Sequence, residues 1–185
     1  MNLPNLLSLF RLFVTVFFIL FIAYERFGLG LLLFALQALS DLLDGFFARR
    51  MGSKTNLGAY LDPLADKVML SSSYIVLCFH RIVPLPLVSA VLVRDIVIGL
   101  GFFFLVRRGL VVNPAPSFIS KMTTVFQMLT VVYVLLLTNM TFESSFSYIN
   151  AGKVALEWAT GLLTAASGLQ YVFAGCVVFF RKEVV

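Results

Sequence analysis

Charged side chains are scarce in this sequence. They make up 12% of its 185 residues, where soluble domains carry about a quarter. That scarcity, beside 61% hydrophobic residues, excludes an ordinary soluble fold, which could not cover so much apolar surface. Cysteine occurs twice, as Cys78 and Cys176 in separate apolar runs, with no C-x-x-C pair. The one histidine, His80, stands alone at an expected helix end, so no zinc-type ligand set is present. Both cysteines are expected as buried thiols, and His80 as an interfacial residue. Long basic patches are also missing. The net charge of +5 is dispersed over short connections, which argues against a nucleic-acid partner. No long repeat, low-complexity tract or dividing linker interrupts the chain, so a single domain over residues 1–185 is expected.

What is abundant is long apolar runs: Leu6–Tyr24, Phe27–Phe47, Tyr60–Phe79, Ile82–Val106, Phe118–Leu137 and Val154–Phe180. Each approaches the roughly 20 residues that a helix needs to cross a bilayer. None shows the alternation of barrel strands. The reading is an all-α integral membrane protein with six transmembrane helices. The first run is too long for a cleavable signal and lacks a small-x-small site, so it is expected to stay as an anchor. Arg11 within it needs an interior or interfacial partner. With the N-terminus cytoplasmic, the inner segments carry Arg49, Arg50, Lys54, Arg107, Arg108, Arg181 and Lys182. The outer ones carry only Arg26, Arg81 and Lys153, which satisfies the positive-inside rule.

Into this apolar chain the stretch SDLLDGFFARRMGSKTNLGAYLDPLADK places Asp41, Asp44, Asp62 and Asp66. Spacings of three and four put each pair on one helix face. A basic, glycine-containing connection from Arg49 to Gly58 would let the second and third helices meet as a hairpin, with all four carboxylates converging at its cytoplasmic end. The Asp62-Pro63 step fits a helix start or kink near that end. Converging carboxylates repel unless protonated or bridged by cations, and an all-oxygen donor set favours Mg²⁺ or Mn²⁺. Two such ions suit phosphoryl transfer. Gly45 and Gly58 allow close approach of a ligand, Ala48 shares the face of Asp41 and Asp44, and Arg49 offers a fork for phosphate. Tight helix packing would also use the small residues.

Those positions spell Asp41-x2-Asp44-Gly45-x2-Ala48-Arg49-x8-Gly58-x3-Asp62-x3-Asp66. The pattern resembles the complete signature of the CDP-alcohol phosphotransferase (CDP-alcohol phosphatidyltransferase) family, eight fixed residues across 26 positions. The resemblance extends to size and helix layout. It implies displacement of CMP from a CDP-linked alcohol by an acceptor hydroxyl with divalent metal. It implies that Asp41, Asp44, Asp62 and Asp66 hold the metals, and that Asp66, beside Asp62, is the general base. Gly45, Ala48, Arg49, Gly58 and the first three aspartates would line the CDP site. It also implies a homodimer, and here Ala165, Ala166, Gly168 and Gly175 serve intrachain or interchain packing equally well.

The opening Asn2-Leu3-Pro4-Asn5-Leu6-Leu7 with Arg11, and Leu61-Asp62-Pro63-Leu64-Ala65-Asp66-Lys67, resemble the branch that makes phosphatidylglycerophosphate or cardiolipin. The implied donor is CDP-diacylglycerol, used at the cytoplasmic face of a membrane such as a bacterial inner membrane. Arg94 and Lys121, cations within apolar runs, are the candidates for an acceptor phosphate. Pairing of Arg94 with Asp95 or with the aspartates, and snorkelling of Lys121, are the structural alternatives. Glycerol 3-phosphate is the first acceptor expected and phosphatidylglycerol the second. Thr123 replaces a second lysine usual in phosphatidylglycerophosphate synthases, Arg94-Asp95 replaces an Arg-Glu pair, and Ser117–Lys121 resembles the single-domain cardiolipin synthases. A cation-coupled small transporter also needs intramembrane charges. The second half of the chain carries no copy of the aspartate array, which weighs against it.

Overall fold

Apolar runs of this length satisfy their backbone polar groups in lipid only by coiling. The computed structural model describes residues 3–51, 56–107, 117–139 and 146–181. It gives the backbone alone at 3–8, 41–51, 56–63, 102, 105–106, 146–149 and 178–181. These residues form six helices: α1 (Leu3–Ala23), α2 (Phe27–Met51), α3 (Asn56–Phe79), α4 (Leu85–Arg107), α5 (Phe118–Asn139) and α6 (Phe146–Arg181). Among the described residues, Phe118–Asn139 and Asn150–Val177 are long and apolar enough to cross a membrane by length and composition.

The helices outrun the apolar runs at the polar stretch. Arg49 and Gly58 lie inside α2 and α3, so the connection is shorter than the expected Arg49–Gly58 segment. Ala48, Arg49, Arg50 and Met51 all favour helix, which carries α2 onward. Pro63 likewise sits well inside α3 rather than at its start. Cys78 is half-buried and Cys176 exposed, against the expectation of two buried thiols. On a helix whose outer face is apolar throughout, a thiol costs little against lipid.

Two compact units divide the chain: residues 1–83 with 131–149, and residues 84–130 with 150–185. In the first, α1 packs against both α2 and α3. Its core is a stripe of Arg11, Val14, Thr15, Phe18 and Ile22 on α1, met by Phe34 and Gln37 of α2 and by Met69, Leu70, Ser73, Tyr74 and Leu77 of α3. Gly30 leaves room for the Ile22 side chain of α1, whose Cδ1 a Cβ there would press upon. One turn on, the Phe18 and Phe34 rings meet at 5.9 Å.

Both α1 and α3 end in the same motif. Arg26 N–H donates to Phe21 O and Glu25 N–H to Ile22 O, while Ile82 N–H donates to Leu77 O and Arg81 N–H to Cys78 O. Such caps put their pivotal residue in the left-handed region, where glycine is usual. Here Glu25 (φ 60°) and Arg81 (φ 57°) occupy it. His80 packs edge-on against Phe27 at 5.7 Å, so the two turns share one end of the unit.

The second unit is held by polar groups. Ser120, Thr123, Gln127 and Thr130 form one stripe of α5, and Thr160, Thr164 and Ser167 one of α6; all are buried. Thr130 and Thr160 hydroxyls bond at 2.8 Å, Gln127 Nε2 donates to Thr164 Oγ1 at 3.3 Å, and Thr123 Oγ1 donates to Leu163 O at 3.1 Å. In an apolar medium such bonds join helices that hydrophobic burial cannot. Changing Thr130→Val and Thr160→Val singly and together is expected to give a coupling energy of about 0.6 kcal/mol, read from unfolding in detergent micelles. Each hydroxyl keeps a backbone carbonyl as fallback, Phe126 O at 2.8 and 3.3 Å respectively, which holds the coupling modest.

Candidate active site

The α2 stripe that faces α1 runs Gly30, Phe34, Gln37, in alternating steps of four and three residues. Asp41 and Asp44 continue those steps, and Ala48 follows four on. Helical register therefore sets both aspartates on the face of α2 that is buried against α1 one turn earlier. The side chains of Asp41, Asp44, Gly45, Ala48, Arg49, Gly58 and Asp62 lie outside the described residues.

Asp66 is described, and its partner is Arg11. The Arg11 guanidinium Nη1 donates to Asp66 Oδ1 as a partly buried ion pair between α1 and α3. Arg11 is 1% exposed while Asp66 is 33% exposed, so the cation is interior and the carboxylate partly exposed. This answers the sequence's demand for a partner to Arg11. The antiparallel register of α1 with α2, fixed by Ile22 with Gly30 and Phe18 with Phe34, continues to bring residue 41 level with Arg11. Asp41 and Asp66 thus stand at one height around Arg11. Carboxylate oxygens are the donors that a hard divalent cation prefers, and of the four aspartates the side chain of Asp66 is the one described.

In the second unit Arg94 is 9% exposed and spends its charge locally. Nη1 donates to Asp95 Oδ1 at 2.7 Å, and Nη2 to Ser120 Oγ at 2.7 Å and Ser167 Oγ at 3.2 Å. Gly168 leaves room for its stem, with Arg94 Cγ 3.6 Å from where a Cβ would stand. Gly168 is thus used within the chain, whereas Ala165 and Ala166 are exposed. Lys121, next to Ser120, is exposed. Thr123, by contrast, is fully buried, its hydroxyl donating to Ile119 O and Leu163 O. Where a second lysine would stand, α5 closes onto α6.

Two residues that motif reading passes over are prominent here. Gln37 is 1% exposed with no partner for Nε2 or Oε1, and Ser40 Oγ is buried without a partner. A glutamine within an apolar run attracts no notice in sequence, and its burial needs the helix packing to be seen.

The family model described as CDP-alcohol phosphatidyltransferase matches residues 1–170. A CDP-diacylglycerol–glycerol-3-phosphate 3-phosphatidyltransferase of Aquifex aeolicus is 36% identical, over 98% of this chain and all of the relative. A protein of the same description from Escherichia coli (strain K12) is 32% identical, over 94% of each chain. The cardiolipin synthase (CMP-forming) of Rattus norvegicus is 35% identical, over 94% of this chain and 61% of the relative.

Proposed function

Since the chain belongs to the CDP-alcohol phosphatidyltransferase family, we propose that it transfers the phosphatidyl group of CDP-diacylglycerol to glycerol 3-phosphate, releasing CMP. The observation that carries this reading is the ion pair of Arg11 with a partly exposed Asp66, at the height where the register brings Asp41. It supports a carboxylate centre built between α1, α2 and α3 of the first unit. The acceptor oxygen attacks the phosphatidyl phosphorus, the bond from phosphorus to the CMP oxygen breaks, and the hydroxyl proton passes to Asp66. Arg11 holds the Asp66 carboxylate in position. Two Mg²⁺ or Mn²⁺ ions, held by Asp41, Asp44, Asp62 and Asp66, would supply charge neutralisation at the diphosphate. Gly45, Ala48, Arg49 and Gly58 line the nucleotide site in this reading, and Lys121 attracts the acceptor phosphate while Arg94, the other candidate, is held by Asp95, Ser120 and Ser167.

Six membrane-spanning helices with a cytoplasmic N-terminus fit the same picture. The turns after α1 and α3 share one end, and Arg11 and Asp66 lie far from it along both helices. That arrangement supports a reaction centre at the cytoplasmic face of a multi-pass membrane protein, and the family supports a homodimer.

One observation favours phosphatidylglycerol as acceptor. With Thr123 occupied by carbonyls and Arg94 by Asp95, Lys121 is the least committed cation of this group, which suits a phosphodiester's single charge better than a phosphomonoester's two.

The deciding measurement offers each acceptor separately to detergent-solubilised protein with CDP-diacylglycerol and Mg²⁺ or Mn²⁺. CMP release is expected with glycerol 3-phosphate, and its loss in excess chelator with recovery on adding either ion. Turnover with phosphatidylglycerol alone would make the second reading correct. No CMP with either acceptor would refute both.

A further inference from the structure

We propose that Gln37, aided by Ser40, reads the vicinal diol of the acceptor's glycerol and is a specificity-determining residue for the transfer; this rests on the function proposed above. The starting point is an unmet demand. Gln37 is 1% exposed, and neither the donor nor the acceptor half of its amide has a partner. Ser40 Oγ, one helical turn on, is likewise buried and unmet. Elsewhere in this core hydroxyls are satisfied: Thr15 Oγ1 donates to Arg11 O at 2.8 Å and Ser73 Oγ to Met69 O at 2.6 Å. A buried amide left unsatisfied costs about 1–3 kcal/mol, and leucine at this position would cost nothing of the kind.

Its place in the fold says what meets the demand. Gln37 lies on the α2 stripe that continues into Asp41 and Asp44, about 6 Å along the axis from Asp41. Asp41 in turn stands level with Arg11 and hence with Asp66, the group assigned to receive the acceptor's proton. The amide therefore borders the place where the attacking hydroxyl must sit, on the side toward the membrane interior.

Chemistry narrows the ligand. Phosphate oxygens and the ester carbonyls of the lipid donor accept only, and would leave Oε1 unmet. A hydroxyl both donates and accepts, so two hydroxyls on adjacent carbons satisfy both halves of one carboxamide. Ser40 lies within the same turn to take up a remaining proton or lone pair. The glycerol of glycerol 3-phosphate and the head-group glycerol of phosphatidylglycerol present the same pair: the hydroxyl that attacks and its neighbour. Gln37 holds the neighbour and so aims the attacker at Asp66.

The test compares each acceptor with its analogue lacking the middle hydroxyl: 3-hydroxypropyl phosphate for glycerol 3-phosphate, and phosphatidyl-1,3-propanediol for phosphatidylglycerol. For the wild-type protein, kcat/KM is expected to fall roughly ten- to a hundredfold on deleting that hydroxyl. Gln37→Leu is expected to show the same fall with the natural acceptor and no further fall with the analogue, while KM for CDP-diacylglycerol stays unchanged. Removing the unmet amide should also raise the melting temperature of Gln37→Leu without substrates. Gln37→Asn, shorter by one methylene, serves as a second variant in which discrimination should be reduced rather than lost. If Gln37→Leu and Gln37→Asn both discriminate as strongly as wild type, the amide is a structural element and this assignment falls alone. If wild-type protein turns over neither acceptor, the proposed function falls and takes this assignment with it.

Discussion

Asp66→Asn is expected to reduce CMP release from CDP-diacylglycerol by about 10²- to 10⁴-fold, the range that a positioned general base supplies. The substitution keeps the shape of the side chain and removes its capacity to take a proton at neutral pH. On the assignment proposed above it would also remove a metal-binding charge, which pushes the expected loss toward the upper end. The control lies in the same residue's structural role. Asp66 is a counter-charge of an arginine that is 1% exposed, and removing one member of a partly buried pair leaves the other less well compensated. Asp66→Asn should therefore be both inactive and less stable, by about 2–3 kcal/mol after discounting for the carboxylate's own exposure. Melting of purified protein, measured beside CMP release, separates the two effects.

Arg11→Met is the second large effect, and it should differ in kind. It deletes the interior charge and leaves behind a carboxylate that is 33% exposed and still reaches water. The stability cost is therefore expected to be smaller than for Asp66→Asn. Activity should still fall, because the carboxylate loses the group that fixes its position. The double variant Arg11→Met with Asp66→Asn removes both charges of the pair together. It is expected to melt above Asp66→Asn alone and to remain inactive. A double variant that melts no higher than Asp66→Asn would mean that the pair contributes little to the packing of α1 on α3. One that regains activity would remove Asp66 from the chemistry.

Much of this was legible before any fold was in view. The signature from Asp41 to Asp66 carries the family, because its spacings are covalent facts. The six apolar runs carry the helices, because lipid leaves the backbone no other economy. Arg11 declared that it needed a partner, yet nothing along the chain said it was Asp66, since that choice is made by the offset between α1 and α3. Helix ends were misjudged where hydropathy and helix propensity part company: Arg49 and Gly58 are polar or small enough to read as connection and are helical all the same. The α5–α6 ladder escaped for a related reason. Threonine and serine scarcely dent the mean hydropathy of a run, so Thr130 and Thr160 look like filler until the two stripes face each other. Thr123 was noticed as a departure from a lysine. Its burial explains the departure, for a lysine there would end inside a helix interface.

The two left-handed caps bear on a different matter, the depth at which the chemistry takes place. Glycine would suit Glu25 and Arg81 at lower conformational cost, roughly 1–2 kcal/mol for each residue. What glycine cannot do is refuse to enter hydrocarbon. With Glu25, Arg26 and Arg81 at one rim, the bundle has a fixed waterline from which heights can be measured. Asp41 is 16 residues along the chain from Glu25. At about 1.5 Å per residue that is about 24 Å, against a hydrocarbon slab of about 30 Å. In the topology proposed above, the backbone of Asp41 would stand a little inside the cytoplasmic head-group plane. On that proposal a lipid diphosphate would reach the site by sinking a little below its neighbours, and CMP would leave by rising.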